Sequence, residues 1–382
     1  MTPEEQILLL SSFYSLSSDQ MQALGALMNQ SPDWNQIITA SRFHSLTPLL
    51  AKHMSDGNLQ EKLPSSVYEK IIGLSRLQTA RSLKIVSVFQ KLSSKLKENN
   101  VDFILLKGLF LANNYYSNPA LRPMQDIDLL VKKENLQQIV KLMEELGARR
   151  LVELQSDYIN SLLQHIPPFI YKEVIIEIHT NITAANEPYS FTGDILWNNT
   201  LTLEIQKVNT RVFSPELNLI YICVHLFRHV QSTKFKLIWF TDLMQILSGS
   251  DLYDSSKIKL IANQTNSAQT LKELSFLLNN FWYFKVEEKL SVSAQIPDNR
   301  LLQNFRDGML RKKKPDEYYT FNTWRRIPGT YNKIRFVLGL AFPSTDFMIK
   351  KYKLKSRLPL FPLYFFNALK VSFKGIKILF TK

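Results

Sequence analysis

Two aspartates, Asp126 and Asp128, stand two apart in Arg122-Pro-Met-Gln-Asp-Ile-Asp-Leu-Leu-Val131, where apolar residues alternate with the acids. In a strand, residues at this spacing leave one face about 7 Å apart, so both carboxylates converge on one point while Ile127 and Leu129 enter the core. Two close carboxylates repel unless a cation joins them, and oxygen-only ligation suits Mg²⁺. Glu177 is the one acid in the apolar run Val174-Ile-Ile-Glu-Ile-His179, and it would make a third ligand if that strand lies beside the first, with His179 leaving the same face. Spacing alone equally allows two acids on an exposed edge and a Glu177 paired with a buried arginine. Upstream, Lys107-Gly108 closes the apolar run Val101–Leu106. A glycine there lets a phosphate approach a helix N-terminus while Lys107 adds charge; an ordinary turn has the same sequence. Arg122, on the loop entering the acidic strand, has the fork geometry to bind phosphate.

Apolar residues at spacings of three and four predict a long helix over 75–98, ended by Asn99-Asn100, and helices over 108–116 and 134–146, the latter stopped by Gly147. Strands are predicted over 101–106, 122–131 and 173–179, with a hairpin over 201–213 turning around Val208-Asn209-Thr210. Helices return over 217–229, 237–247 and 270–282. The fold class is therefore α+β, a small mixed sheet with flanking helices and largely helical N- and C-terminal regions. We divide it into a helical region 1–75, a core 76–213 that holds the chemistry, a helical domain 214–300 and a basic, aromatic region 301–382.

Taken together, Leu105-Leu-Lys-Gly108, Arg122, Asp126-Ile-Asp-Leu-Leu-Val131, Ile176-Glu-Ile-His179, His225-Leu-Phe-Arg-His229 and Trp239-Phe-Thr-Asp242-Leu243 resemble the polymerase-β-like nucleotidyltransferases. The resemblance is closest to a poorly characterised family of that superfamily, and Ala341-Phe-Pro-Ser344 with Lys351-Tyr352 is similar to it as well. It implies that Asp126, Asp128 and Glu177 hold two Mg²⁺ ions and are catalytic. It implies too that Lys107, Gly108 and Arg122 bind the nucleoside triphosphate, which is the substrate. The reaction implied is attack of an acceptor on the α-phosphorus, with pyrophosphate leaving. The usual Gly-Ser or Gly-Gly pair is Gly108-Leu109 here, which brings no hydroxyl to a phosphate. Candidates to touch the acceptor or support the site are His179, His225, His229 and Asp242, the last as a partner of Arg228 or His229. His225 and His229 have the spacing of a zinc protease helix, but Leu226 stands where that motif has glutamate, so protease chemistry is excluded and core histidines are the alternative.

The 382 residues are 45% hydrophobic and 21% charged, which excludes a disordered chain. A lone cysteine, Cys223, excludes intrachain disulfides and cysteine metal cages and indicates a reducing compartment. Met1-Thr-Pro-Glu-Glu-Gln lacks the pattern of an export signal, so a cytoplasmic place is expected. Residues 300–382 hold 19 Lys and Arg against 4 Asp and Glu, so the net charge of +14 resides in this end of the chain. Within residues 358–382, Leu363, Phe366, Leu369, Phe373, Ile376 and Phe380 form one helical stripe and Lys370, Lys374 and Lys377 another. Such a helix either lies in an anionic membrane surface, at the inner face of the membrane, or docks on the protein's own core. The expected partners are a nucleoside triphosphate, an unidentified acceptor (a saccharide, a lipid-linked or a small molecule) and such a membrane, with nucleic acid less favoured. Two other readings share the fold: a toxin-type enzyme acting on RNA, and a non-catalytic nucleotide-binding scaffold.

Overall fold

The computed structural model describes residues 1–151, 156–249, 253–286, 292–310, 324–354 and 360–380. Its helices are α1 Pro3–Ser11, α2 Ser18–Met28, α3 Trp34–Phe43, α4 Thr47–Asp56, α5 Ser65–Glu98, α6 Gly108–Tyr115, α7 Leu136–Glu145, α8 Asp157–Leu162 and α9 Gly193–Asn198. They continue as α10 Pro215–Gln231, α11 Leu237–Ser248, α12 Ser255–Gln264, α13 Ala268–Trp282, α14 Asn299–Met309, α15 Thr330–Ala341, α16 Thr345–Lys351 and α17 Leu360–Phe380. The strands are β1 Phe103–Leu106, β2 Asp126–Val131, β3 Arg149–Arg150, β4 Phe169–Tyr171, β5 Val174–His179, β6 Thr200–Ile205 and β7 Val208–Phe213. One sheet orders them β3-β4-β5-β2-β1-β7-β6, so the fold is α+β.

The strands that carry the candidate acids are adjacent at its middle. β2 and β5 alternate in accessibility or are buried throughout, as apolar runs between covered faces should be. Two reversals depart from the sequence reading. The β6–β7 turn falls at Gln206 and Lys207, not around Val208-Asn209-Thr210, which are already paired as β7. Gln206 and Lys207 have φ of 50° and 65°, the left-handed pair of a tight hairpin turn, made here without the Asn-Gly that usually marks one. Lys172 and Glu173 repeat the device at 47° and 64°, joining β5 to a strand the sequence did not show, β4. The long helix begins at Ser65, where the spacing predicts Ser75, and Leu77 and Leu83, two of the apolar residues at that spacing, are exposed on it.

The chain divides into two compact units. The first comprises residues 1–91, 105–126 and 194–315. In it, α1 to α4 and the start of α5 enclose a core around Ile7, Leu24, Ile37, Leu50, Met54 and Ile71. Its second core is aromatic: Phe240 stacks on Trp282 at 4.5 Å and Phe235 on Phe305 at 5.3 Å. The second unit comprises 92–104, 127–193 and 316–382 and holds a small cluster of Ile159, Ile327 and Phe336, with Tyr158, Leu162, Trp324 and Leu340 packed against it. Among the described residues no helix is long and apolar enough to cross a membrane.

Candidate active site

In the second unit, Asp128, Glu177 and His179 offer ligand atoms that all lie within 4.8 Å of one another. Strand parity makes this meeting: Glu177 and His179 leave one face of β5, and Asp128 sits on the neighbouring strand β2. His179 Nε2 donates to Asp128 Oδ1 at 2.8 Å and lies 3.4 Å from Glu177 Oε2. Asp128 and His179 are buried, whereas the Glu177 side chain keeps 22% of its surface exposed. Glu177 is thus the member of the group most open to an entering molecule. His165 approaches His179 edge-on at 5.2 Å, a neighbour that sequence reasoning missed because β5 meets residue 165 only through an isolated bridge.

Two carboxylates this close, one of them buried, fit a hard divalent cation better than mutual repulsion in a dry site. The imidazole bonded to Asp128 fits the orienting role that such nitrogen donors take beside metal-binding carboxylates. Asp126 starts β2 two residues before Asp128, on the same strand face by parity, and is half-buried.

The first unit holds the turn after β1. Lys107 has φ 48° and ψ −121°, a conformation L-residues seldom adopt, and Gly108 opens α6. Backbone strain of this kind persists only where surroundings impose it, and it gathers at functional sites. The glycine has a second reason to be there: a Cβ on Gly108 would lie 3.0 Å from Arg122 Nη1. The guanidinium thus fills the space over the glycine's Cα.

Arg122, read from the sequence as a phosphate ligand, is buried, with Nε donating to Asp242 Oδ1 at 3.1 Å and Nη2 to Oδ2 at 2.7 Å. Tyr116 O–H donates to the same Oδ1 at 2.7 Å. Asp242 was expected beside Arg228 or His229; the bonds above go instead to Arg122 and Tyr116. Burial pulls the Arg122 pKa down, but the Asp242 charge and hydrogen bonds, helped by Tyr116 and Asp126, overcome it and raise the value. Burial and then Asp242 hold the Tyr116 hydroxyl well above its usual range, so it remains a donor.

His225 and His229 meet edge-on at 4.6 Å, and Trp239 lies edge-on to His225 at 4.6 Å and tilted to His229 at 4.8 Å, so the pair packs as an aromatic cluster with His225 buried and His229 half-buried. Burial pushes the His229 pKa down to about 3, with Arg228, Lys107, Lys234 and Lys236 adding to the effect, so this ring is neutral near pH 7. The same interactions reveal a positive field beside the Gly108 turn. Lys236, absent from the sequence reading, donates to Gln125 Oε1 at 2.5 Å. Burial lowers its pKa to about 8; the Asp126 charge opposes that shift, and Arg122 and Arg81 add to it. One of two lysines in Lys234-Phe-Lys236, more than a hundred residues from Asp126, carries no signal of such a place in the sequence.

A family model described as uncharacterised nucleotidyltransferase matches residues 30–282, and the chain belongs to that family, an enzyme of the nucleotidyltransferase class. Among solved structures, the antibiotic-resistance factor ANT(2'')-Ia is similar at 14% identity, over 52% of this chain and 97% of that one, with a TM-score of 0.34. Its complex with adenylyl-2''-tobramycin matches over 47% and 94%, again at 14% identity and a TM-score of 0.34. A nucleotidyltransferase-like antigen of Paracoccidioides brasiliensis is 16% identical over 55% and 94%, with a TM-score of 0.36. No curated protein matches the sequence.

Proposed function

We propose that the enzyme transfers a nucleoside monophosphate from a nucleoside triphosphate to the hydroxyl or phosphate of a saccharide, lipid-linked or small-molecule acceptor in the cytoplasm. The observation that carries this reading is the meeting of Asp128, Glu177 and His179 within 4.8 Å. Asp126, Asp128 and Glu177 would hold two Mg²⁺ ions, which when bound neutralise the triphosphate and polarise the α-phosphate. His179 holds the Asp128 carboxylate in one orientation through its 2.8 Å bond. The acceptor oxygen forms a bond to the α-phosphorus as the bond to the bridging oxygen breaks and pyrophosphate departs. Glu177, partly open, takes the acceptor proton. The backbone N–H groups opening α6, with Lys107, Lys236 and Arg228, supply positive potential for the triphosphate tail. Arg122, locked on Asp242, acts on the nucleotide through the Gly108 turn that it supports.

The reading is tested by incubating the full chain with each nucleoside triphosphate, Mg²⁺ and acceptors of each class, and following pyrophosphate. Metal-dependent pyrophosphate release that needs an acceptor supports it; release of orthophosphate alone would overturn it.

Two further results are expected. Gly108→Ala presses a Cβ to 3.0 Å from the pinned Arg122 Nη1, so turn or guanidinium must move by a few tenths of an ångström. The variant should fold, and its KM for the triphosphate should rise about tenfold, since small misplacements at a phosphate cradle are amplified in binding and rate. An unchanged KM would remove the turn from the nucleotide site.

The second concerns pH. With a folded-state pKa of about 8, Lys236 is charged below that pH and neutral above it. The kcat/KM for the triphosphate should therefore fall as pH rises through about 8, and Lys236→Arg, charged throughout, should not show that fall. Stability moves the other way. The folded-state value lies below the ordinary 10.5, so between about 8 and 10.5 the unfolded chain binds more protons and stability from this group rises with pH. A melting temperature that falls in step with activity would assign the loss to unfolding.

A further inference from the structure

Helix α17 docks by its polar side. Asn367 is buried, and its Nδ2 donates to the Leu340 and Ala341 carbonyls at 2.9 and 2.8 Å, while its Oδ1 accepts from Lys351 Nζ at 2.7 Å. One turn earlier, Tyr364 O–H donates to the Pro343 carbonyl at 2.8 Å. The Leu340 and Ala341 carbonyls end α15, where no intrahelical donors remain, so the contact satisfies groups that otherwise need water. The opposite face of α17 is aromatic: Phe361, Phe365 and Phe366 are exposed by 86, 63 and 58%, with Leu369 beside them. This reverses the polarity of a helix docked on its own core, whose apolar stripe turns inward.

Helix α15 adds a second outward stripe, Tyr331, Ile334 and Leu338 at helical spacing, followed by exposed Phe342. Apolar exposure on this scale marks a surface that meets something. Charge identifies the partner. Lys370 is exposed on α17, as are Arg335 on α15 and Lys350 and Lys353 at and just beyond α16, while residues 324–371 contain one acid, Asp346. A second copy would set this positive surface against itself, which like-charge repulsion opposes.

We infer that α15 and α17 form a docking surface for an anionic lipid bilayer, with the rings at the acyl boundary and the lysines at the headgroup phosphates. This extends the sequence expectation, which rested on the tail alone and on a stripe of Leu363, Phe366, Leu369, Phe373, Ile376 and Phe380; of these Phe366 and Leu369 are exposed, Leu363 is half-buried, and the last three side chains lie outside the described residues. It stands independently of the transfer reaction, so either can fail without the other.

The test is co-sedimentation of the full chain with vesicles of phosphatidylcholine alone or mixed with phosphatidylglycerol, together with its oligomeric state in solution. Binding to the mixed vesicles, weakened by salt, is expected. Phe361→Ser/Phe365→Ser/Phe366→Ser should weaken it by about a hundredfold or more, since each ring contributes roughly tenfold on entering an apolar phase. Lys370→Glu, which leaves the aromatic face intact, should weaken it several-fold with an unchanged melting temperature. No binding at low salt, or undiminished binding by Lys370→Glu, would overturn the inference. So would a wild-type dimer that the triple variant converts to monomer, because the face would then belong to a second copy.

Discussion

Asp128→Asn is expected to lower nucleotidyl transfer by about a thousandfold or more while the protein still folds, the loss set by removal of charge at the reacting phosphate. The asparagine keeps the aspartate's shape, and its carbonyl oxygen can still accept from His179 Nε2, which lies 2.8 Å from Asp128 Oδ1. Removing a negative charge from a buried position within 4.8 Å of Glu177 also relieves repulsion in the absence of metal. Melting temperature should therefore hold or rise slightly, and a steady-state assay beside a thermal melt checks both halves. Near-normal turnover in a folded variant would show that the acidic group is structural.

The largest effect on stability is expected from Asp242→Asn, a loss of about 3–5 kcal/mol, because breaking one side of a buried ion pair leaves the other charge uncompensated. Arg122 and Asp242 are both buried, and the carboxylate accepts two hydrogen bonds from the guanidinium and one from Tyr116. An asparagine turns an amide N–H₂ toward one of those donors, so at least one bond is replaced by repulsion. Urea unfolding measures the cost. Adding Arg122→Met should recover much of it, since replacing both members of a buried pair with apolar groups is often neutral. A single variant as stable as the wild type would show that the pair does not brace the first unit. The double variant should remain impaired in KM for the triphosphate, because the guanidinium no longer fills the space over Gly108.

The central strands were legible because their cause is local. An apolar run interrupted by acids at a spacing of two fixes which side chains share a face, whereas the meeting of Asp128 and Glu177 also needs β2 and β5 side by side, which spacing left open and the sheet order supplies. The glycine at 108 was legible as a close approach, although the group that approaches it within the first unit is Arg122. What stayed hidden depends on long-range pairing. Nothing near Arg122 announces a partner 120 residues away. The turns at Lys172-Glu173 and Gln206-Lys207 use left-handed backbone on residues that carry no turn signal, so β4 and the true reversal of the hairpin went unread. On α17, hydrophobic spacing picked out Phe366 and Leu369 of the exposed face but missed Phe361 and Phe365, and it carried no sign of which way that face turns. That depends on Asn367, whose amide pairs with the carbonyl ends of another helix and so turns the rings outward.

The transfer reading stands or falls on which phosphorus moves. The direct measurement gives the full chain, with Mg²⁺, a nucleoside triphosphate labelled at the α-phosphate and, in parallel, the same nucleotide labelled at the γ-phosphate, with saccharide, lipid and small-molecule acceptor fractions. The α label alone should appear on an acceptor, matched by pyrophosphate and lost in Asp128→Asn. Acceptor labelling from the γ-phosphate, or α labelling that survives Asp128→Asn, would contradict it.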